Sequence, residues 1–101
     1  MTIEVIKRKI KDENYFFSKH GDDERKNDNL TISEVEEAIL NGQILESYDD
    51  DQRGKSCLVV GFTSLGKPIH IVCGTSNEVL VIITVYIPTP PKFKNPYQRG
   101  R

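Results

Sequence analysis

Residues 56–87 read SCLVVGFTSLGKPIHIVCGTSNEVLVIITVYI, and this stretch decides the fold. It contains three apolar runs rich in β-branched residues, at about 56–63, 68–73 and 79–87, and such runs are typical of β-strands. The segments between the runs carry Gly, Ser and Asn, which favour turns. The pattern therefore predicts an antiparallel meander of three strands.

The turn lengths predict a register in which Thr63 lies opposite Pro68 and Cys73 lies opposite Val79. Because side chains alternate across a strand, this register collects apolar residues on one face, which we expect to be a core covered by a helix. These residues are Leu58, Val60, Phe62, Ile69, Ile71, Val81, Ile83 and Val85. The opposite face is half apolar with a polar end, which is typical of a ligand cleft or an interface; its residues are Val59, Gly61, His70, Val72, Leu80, Ile82, Thr84 and Tyr86.

The first half of the chain is predicted to be mainly helical. Thr31 and Glu34 stand three positions apart, as in a capping box, and Gly42 favours a helix end, so we expect a helix over 32–41. The remaining elements are a helix over 2–12, a brief strand or aromatic anchor over 14–18, a surface helix or a loop over 19–29, and a strand over 43–48. Together these elements predict an α+β fold of N-terminal helices packed on one face of a sheet of three or four antiparallel strands.

Composition indicates one domain, over 1–88, followed by a basic, Pro-containing tail over 89–101. The 101 residues carry a net charge of −1, but the tail has four cations and no acid. The sequence after Ile87, PTPPKFKNPYQRGR, cannot continue a sheet and is expected to run extended, either as a solvated end or as a contact for phosphate. The absence of a signal peptide or a long apolar run predicts a cytoplasmic protein with reduced Cys57 and Cys73.

Several short motifs, in order, carry a resemblance to a known family. They are Ser18-Lys19-His20, TISEVEEAI over 31–39, Asn41-Gly42, GKPIHIV over 66–72 and ITVYI over 83–87. Over roughly residues 15–88 the chain resembles the domain-of-unknown-function family numbered 4258. The resemblance implies kinship with RelE-like toxins, particularly the motility quorum-sensing regulator type of mRNA interferase. It also implies a cognate antitoxin with a zinc-binding CxxC module.

The chain departs from the family pattern beside its first histidine. Relatives usually carry Ala where this chain has Gly21. The arginine expected further along is present as Arg25, but a second basic residue often found near Asp28 is missing.

Metal-independent RNA cleavage needs a base for the 2′-hydroxyl, an acid for the leaving oxygen and cations for the charged phosphorane. Histidine suits proton transfer near neutral pH, and arginine suits phosphate. We therefore predict His20, His70 and Tyr86 as catalytic residues. The predicted substrate-binding residues are Arg25, Arg53, Lys55 and Thr84, and neither a metal nor a cofactor is expected. The acidic run over 49–51 lacks a calcium-loop pattern and is interpreted as a solvated turn.

The leading hypothesis is a toxin that cleaves mRNA, with a basic tail that assists RNA or ribosome binding, and that does not involve a membrane. The alternative is a non-catalytic interaction module of the same fold, in which the mixed face is a homodimer or antitoxin interface. The position of the histidines separates the two. Both histidines opening onto one cleft near an arginine favour the enzyme, whereas a buried His70 far from His20 favours the module.

Overall fold

The computed structural model describes residues 1–49 and 55–100. The helices over this part of the chain are α1 (Ile3–Lys11), α2 (Lys19–Asn27) and α3 (Ile32–Leu40). The strands are β1 (Tyr15–Phe17), β2 (Gln43–Tyr48), β3 (Ser56–Phe62), β4 (Pro68–Ser76), β5 (Val79–Tyr86), β6 (Phe93–Asn95) and β7 (Gln98–Arg99).

The larger sheet has five strands in the order β1-β5-β4-β3-β2. Neighbours are antiparallel except β1, which pairs in parallel with β5 through Tyr15 and Leu80. The α+β class is confirmed, but the predicted sheet of three or four antiparallel strands is wrong, because the sheet is mixed and five-stranded. The parallel pairing joins segments more than 60 residues apart, and periodicity within a three-residue strand cannot indicate such a partner.

Helix α3 begins as predicted. The Thr31 side chain accepts from the Glu34 amide and the Glu34 side chain accepts from the Thr31 amide, which completes the capping box. The face turned to the sheet buries Val35, Ala38 and Ile39. This helix and the buried face of α1 cover one side of the sheet and form the main hydrophobic core with it.

The predicted register between β3 and β4 is wrong by one residue. Phe62, not Thr63, lies opposite Pro68, because the Thr63 amide donates to the Lys67 carbonyl oxygen and Thr63 belongs to the turn. A slip of one residue moves every side chain of a strand to the other face. Cys57 and Val59 therefore face the helices, while the predicted core residues Leu58, Val60 and Phe62 lie on the opposite face.

The register between β4 and β5 is also different from the prediction. Strand β4 continues to Ser76, and the turn is reduced to Asn77 and Glu78, which both have positive φ, at 51° and 67°. A two-residue turn of this kind matches the twist of a hairpin. A bulge beside Val72 then shifts the alternation, so that the buried β5 residues of the helix side are Leu80, Ile82 and Val85. Of the predicted core residues on β5, Val81 and Ile83 are only partly buried.

The second face of the sheet is covered by the C-terminal segment, defined here as residues 88–100. Strands β6 and β7 pair with each other as a small separate sheet. Phe93 is only 1% exposed, and it is absent from the helix-side core, as are the buried Leu58 and Val60. As expected, the segment does not continue the large sheet and most of its residues are exposed, but it is not a free end, because Phe93 anchors it on the sheet.

Two further findings concern the described residues alone. Over 1–49 and 55–100, no helix is both long and apolar enough to cross a membrane. Over the same ranges, no group of three or more His, Cys, Asp or Glu side chains is arranged to hold a metal ion.

Candidate functional site

Helix α2 lies along the outer edge of β5, beyond the point where β1 ends. β1 pairs with β5 only as far as Ile82, and the next outward-facing amides of β5 meet carboxylates instead of a strand. Glu24 Oε1 accepts from the Val85 amide at 3.1 Å, and Asp28 Oδ2 accepts from the Ile87 amide at 3.0 Å. These side chains satisfy backbone donors that would otherwise lack a partner at a sheet edge.

The helix approaches the strand very closely at Gly21. A Cβ added at Gly21 would lie 2.6 Å from the Ile82 carbonyl oxygen, which is shorter than a real contact. An alanine at this position would therefore need a wider separation of α2 from β5 than this chain has. Gly21 thus sets the width of the space between the two elements.

A cleft of about 150 Å³ opens between α2 and the end of β5. Its lining residues are Glu24, Asn27, Asp28, Val85 and Tyr86. One carboxylate oxygen of Glu24 and one of Asp28 accept hydrogen bonds from backbone amides of the strand. These bonds fix the positions of both side chains relative to Tyr86. The cleft thus has an acidic helical wall and an aromatic strand wall.

His20 lies on α2, one helical turn before Glu24. Its Nε2 atom is 3.2 Å from Glu24 Oε1, and its side chain is 67% exposed. Positions i and i+4 of a helix share one face, which places His20 beside a residue that lines the cleft. The Glu24 carboxylate at this distance orients the imidazole ring of His20.

His70 lies on the second face of the sheet and is completely buried. Its Nε2 atom is 2.7 Å from the Pro96 carbonyl oxygen and its Nδ1 atom is 3.2 Å from the Tyr86 hydroxyl oxygen. A carbonyl oxygen only accepts, so Nε2 carries the proton and Nδ1 accepts from Tyr86. The predicted pair of His70 and Tyr86 is therefore joined directly, across neighbouring strands.

Burial shifts the pKa values of both members of this pair. The loss of water lowers the pKa of His70, and the hydrogen bond to the Pro96 carbonyl oxygen and the charge of Glu46 oppose this only in part. Burial also raises the pKa of Tyr86. At neutral pH the pair is thus a neutral imidazole and a protonated phenol, which is a form able to give a proton to a leaving oxygen.

Cationic groups reach the same face from the C-terminal segment. Arg99 donates two hydrogen bonds to Glu46, at 2.8 and 2.7 Å, and this lowers the pKa of the Glu46 carboxyl group. The Lys92 Nζ atom lies 5.2 Å from the centre of the Tyr86 ring. Positive charge near the pair therefore comes from a segment that the analysis of the sequence treated as a tail.

Arg25 is committed to the local structure of α2. Its guanidinium lies 2.8 Å from Asp22 Oδ1, donates to the Leu30 carbonyl oxygen at 3.1 Å and lies 5.6 Å from the centre of the Phe17 ring. Its side chain is 14% exposed, and its Nε atom has no hydrogen-bond partner among the described residues. The contacts of Arg25 connect α2 to the start of α3.

The other predicted substrate-binding residues are dispersed. Lys55 is exposed and lines a groove with Lys9 and Glu78, at the opposite end of β5 from Tyr86. Thr84 lies two positions before Tyr86 and shares its face of the sheet. Arg53 lies outside the described residues. The structure thus groups His70, Thr84 and Tyr86 on one face, with His20 on the adjoining helix, and does not bring Arg25 or Lys55 to them.

The sequence did not indicate Glu24 as the partner of His20 or Pro96 as the second partner of His70. Glu24 follows His20 by four residues, which is informative only once the segment is known to be helical. Glu46 and Arg99 are separated by 53 positions in the sequence, and nothing local indicates their pairing. Phe93 was the available signal, as an isolated apolar side chain in a polar segment.

The positions of the two histidines support both hypotheses, the enzyme and the interaction module, in part. The complete burial of His70 favours an interaction module. Its hydrogen bond to Tyr86, which lines the cleft together with Glu24, favours a catalytic site.

Comparison with known proteins establishes the family. The chain belongs to the family described as Domain of unknown function (DUF4258), whose model matches residues 17–87. Comparison with curated proteins and with solved structures found no significant match.

Proposed function

We propose that the protein is a metal-independent endoribonuclease of the RelE-like toxin class, acting on mRNA in the cytoplasm and held inactive by a cognate antitoxin. The observation that carries the proposal is the hydrogen bond between Tyr86 and His70 beside a cleft whose other wall holds Glu24, the partner of His20. Proton-transfer groups paired with orienting partners at a cleft are a general feature of acid–base sites.

In this proposal His20 accepts the proton of the RNA 2′-hydroxyl group. Glu24 stabilises the resulting imidazolium, and its second contact with the β5 backbone keeps it in place. The 2′-oxygen attacks the adjacent phosphorus, and the bond from phosphorus to the 5′-oxygen breaks. The products are a 2′,3′-cyclic phosphate and a free 5′-hydroxyl end.

Tyr86 gives its proton to the departing 5′-oxygen. Its raised pKa keeps the phenol protonated at neutral pH, and the hydroxyl, which donates to His70 Nδ1 in the unliganded protein, turns from His70 to the 5′-oxygen for this step. Lys92, whose Nζ atom lies 5.2 Å from the centre of the Tyr86 ring, supplies positive charge beside this step. The role that the sequence suggested for Arg25 and Lys55 passes to Lys92.

The test is induced expression of the protein in a heterologous bacterium, with growth and bulk mRNA integrity as readouts. We expect growth arrest with mRNA loss for the wild type, and about a hundredfold slower cleavage for His20→Ala, because an acid–base group contributes at least this factor. Lys19→Ala is the matched control, since Lys19 is the neighbouring exposed residue and only pairs with Asp23. A 2′-deoxy substitution at the cleaved nucleotide should abolish cleavage by purified protein.

The second candidate is a non-catalytic interaction module that binds another protein, and the burial of His70 favours it. Normal growth and intact mRNA at an equal level of folded wild-type protein would reject the ribonuclease and leave the module. Equal cleavage by the wild type and His20→Ala would keep the ribonuclease but remove His20 from its site.

A further inference from the structure

The ring of Phe93 occupies a site on the second face of the sheet, called the slot below, whose walls are the rings of His70 and Tyr86. Its centre lies 4.4 Å from that of His70, with the rings nearly perpendicular at 86°, and 6.2 Å from that of Tyr86. The Arg99 guanidinium carbon lies 4.9 Å from the centre of the same ring. Two aromatic side chains of the sheet therefore contact one planar ring, and a cation of the same C-terminal segment as Phe93 lies over it.

This surrounding has the chemistry that binds a nucleobase of single-stranded RNA. Unstacked bases are bound on aromatic side chains and on arginine, because every base offers a flat π-face. Polar atoms lie at the edge of the slot, where His70 Nε2 donates to the Pro96 carbonyl oxygen. A phenylalanine ring makes no use of such a donor, whereas the edge of a base has acceptors for it.

We propose that this slot is a nucleobase-binding site for single-stranded RNA, and that Phe93 occupies it in the unliganded protein as an internal competitor. The inference rests on the proposed function, since it supplies the substrate contact that the cleft lacks. It also accounts for the burial of His70. When Phe93 and Pro96 withdraw, His70 Nε2 loses its backbone partner and becomes available to the substrate.

The contacts of the C-terminal segment are consistent with withdrawal. β6 and β7 pair with each other, and in the part of the chain that the structure describes no backbone hydrogen bond joins residues 88–100 to the large sheet. The segment is held by the Phe93 ring, by the bond from His70 to Pro96 and by the pair of Arg99 with Glu46. That ion pair is about half exposed on the Arg99 side, so its contribution is small.

The test measures binding of a short 2′-O-methyl RNA, which cannot be cleaved through its 2′-oxygen, by fluorescence anisotropy. Full-length wild type, Phe93→Ala and Glu46→Gln are compared, with circular dichroism to verify folding. Thr89→Ala is the matched control, because Thr89 is an exposed residue of the same segment and, among the described residues, only its backbone carbonyl oxygen is engaged, by the Phe93 amide. The same RNA with abasic positions separates base binding from attraction to the backbone.

We expect Phe93→Ala to bind the base-containing RNA about tenfold more tightly than the wild type, because removing an internal competitor raises the binding-competent fraction. Glu46→Gln, which loosens the anchor of Arg99, should gain about threefold by the same mechanism. Neither variant should gain with the abasic RNA, and Thr89→Ala should match the wild type with both. If Phe93→Ala does not fold, the proposal is tested by the affinity of Glu46→Gln for the base-containing RNA, and an affinity no higher than that of the wild type overturns it.

An unchanged or weaker affinity of folded Phe93→Ala, or an equal gain with the abasic RNA, overturns the proposal and identifies Phe93 as a core residue. The outcome for the proposed function is read separately, from cleavage of ordinary RNA. Tighter binding without cleavage by any of the proteins rejects the ribonuclease and retains the slot. Cleavage by the wild type without tighter binding by the variants retains the ribonuclease and rejects the slot.

Discussion

The two faces of the large sheet are built by different means. The helix side is an apolar core in which Val59, Ile71 and Ile82 are completely buried against α1 and α3. The opposite side, under the C-terminal segment, places His70 and Tyr86 among aromatic rings and charged groups. The first face is stabilised by the burial of apolar surface and by close packing, whereas the second depends on individual hydrogen bonds.

The difference indicates where this fold tolerates change. Burial of apolar surface has no direction, so a core can absorb swaps that conserve volume. A buried polar group that loses its partner pays the full desolvation cost. A protein that needed only stability could have covered both faces with apolar side chains, so the polar face is the one to examine for function.

The largest expected effect tests the closeness of packing on the helix side. Gly61→Ala would place a Cβ 1.8 Å from the Ala38 carbonyl oxygen, so α3 must move away from β3. We expect a loss of about 3 kcal/mol in the free energy of unfolding, measured by urea denaturation. Gly74→Ala is the control, because its Cβ would meet only the end of the Ile83 side chain, at 3.0 Å. Equal losses in the two variants would show that α3 is not packed on β3 as described.

A smaller effect tests the dependence of the second face on single hydrogen bonds. Tyr86→Phe removes the hydroxyl that donates to His70 Nδ1 and leaves a buried nitrogen without a partner. The expected loss is about 1.5 kcal/mol in the free energy of unfolding. Tyr97→Phe should change it by less than about 0.5 kcal/mol, because its ring is half exposed. If both substitutions are neutral, the second face does not rely on this bond.

The smallest effect is a pH dependence of stability that belongs to the second face alone. Burial lowers the pKa of His70 in the folded protein, with Arg99 and Lys92 acting in the same direction and Glu46 against it. The unfolded chain therefore binds a proton at a higher pH than the folded protein. Stability from this group is complete above about pH 6.5 and is lost as the pH falls towards the folded pKa.

The slope should be a fraction of the about 1.4 kcal/mol per pH unit that one full proton gives. It is measured from the free energy of unfolding between pH 7 and pH 5. His70→Gln should flatten this dependence, and His20→Gln, which changes an exposed histidine, should retain it. A slope that survives in His70→Gln would assign the dependence to other groups.

Much of the local structure could be predicted because its signals lie close together in the sequence. The capping box of Thr31 and Glu34 positions α3, and the apolar runs locate β3, β4 and β5 within a few residues. The faces could be predicted only in part, because they depend on which residues form the turns. The place of Thr63 in the turn and the bulge beside Val72 exchanged the two sides of β3 and of the first part of β5, whereas Ile69, Ile71 and Val85 lie on the predicted core side.

The candidate site could be predicted from the sequence only in part, for a similar reason. His70 and Tyr86 were assigned to one face, and they are in contact. The two errors of register left both on that face, because the shifts changed their partners and not their side of the sheet. Phe93 and Arg99 cover this face through contacts between segments that are distant in the sequence. The hydrophobic periodicity of a single segment carries no information on such contacts.

The carboxylates of α2 have a consequence for behaviour at high concentration. β5 carries the run LVIITV, whose strand propensity and lack of charge are typical of segments that join strands of other molecules. β1 blocks the first part of its edge, and Glu24 and Asp28 occupy the amides of Val85 and Ile87 beyond it. A neighbouring chain thus finds the amides of Val85 and Ile87 engaged and meets two carboxylates. Helix α2 protects this part of the β5 edge against pairing with another chain while it forms one wall of the cleft.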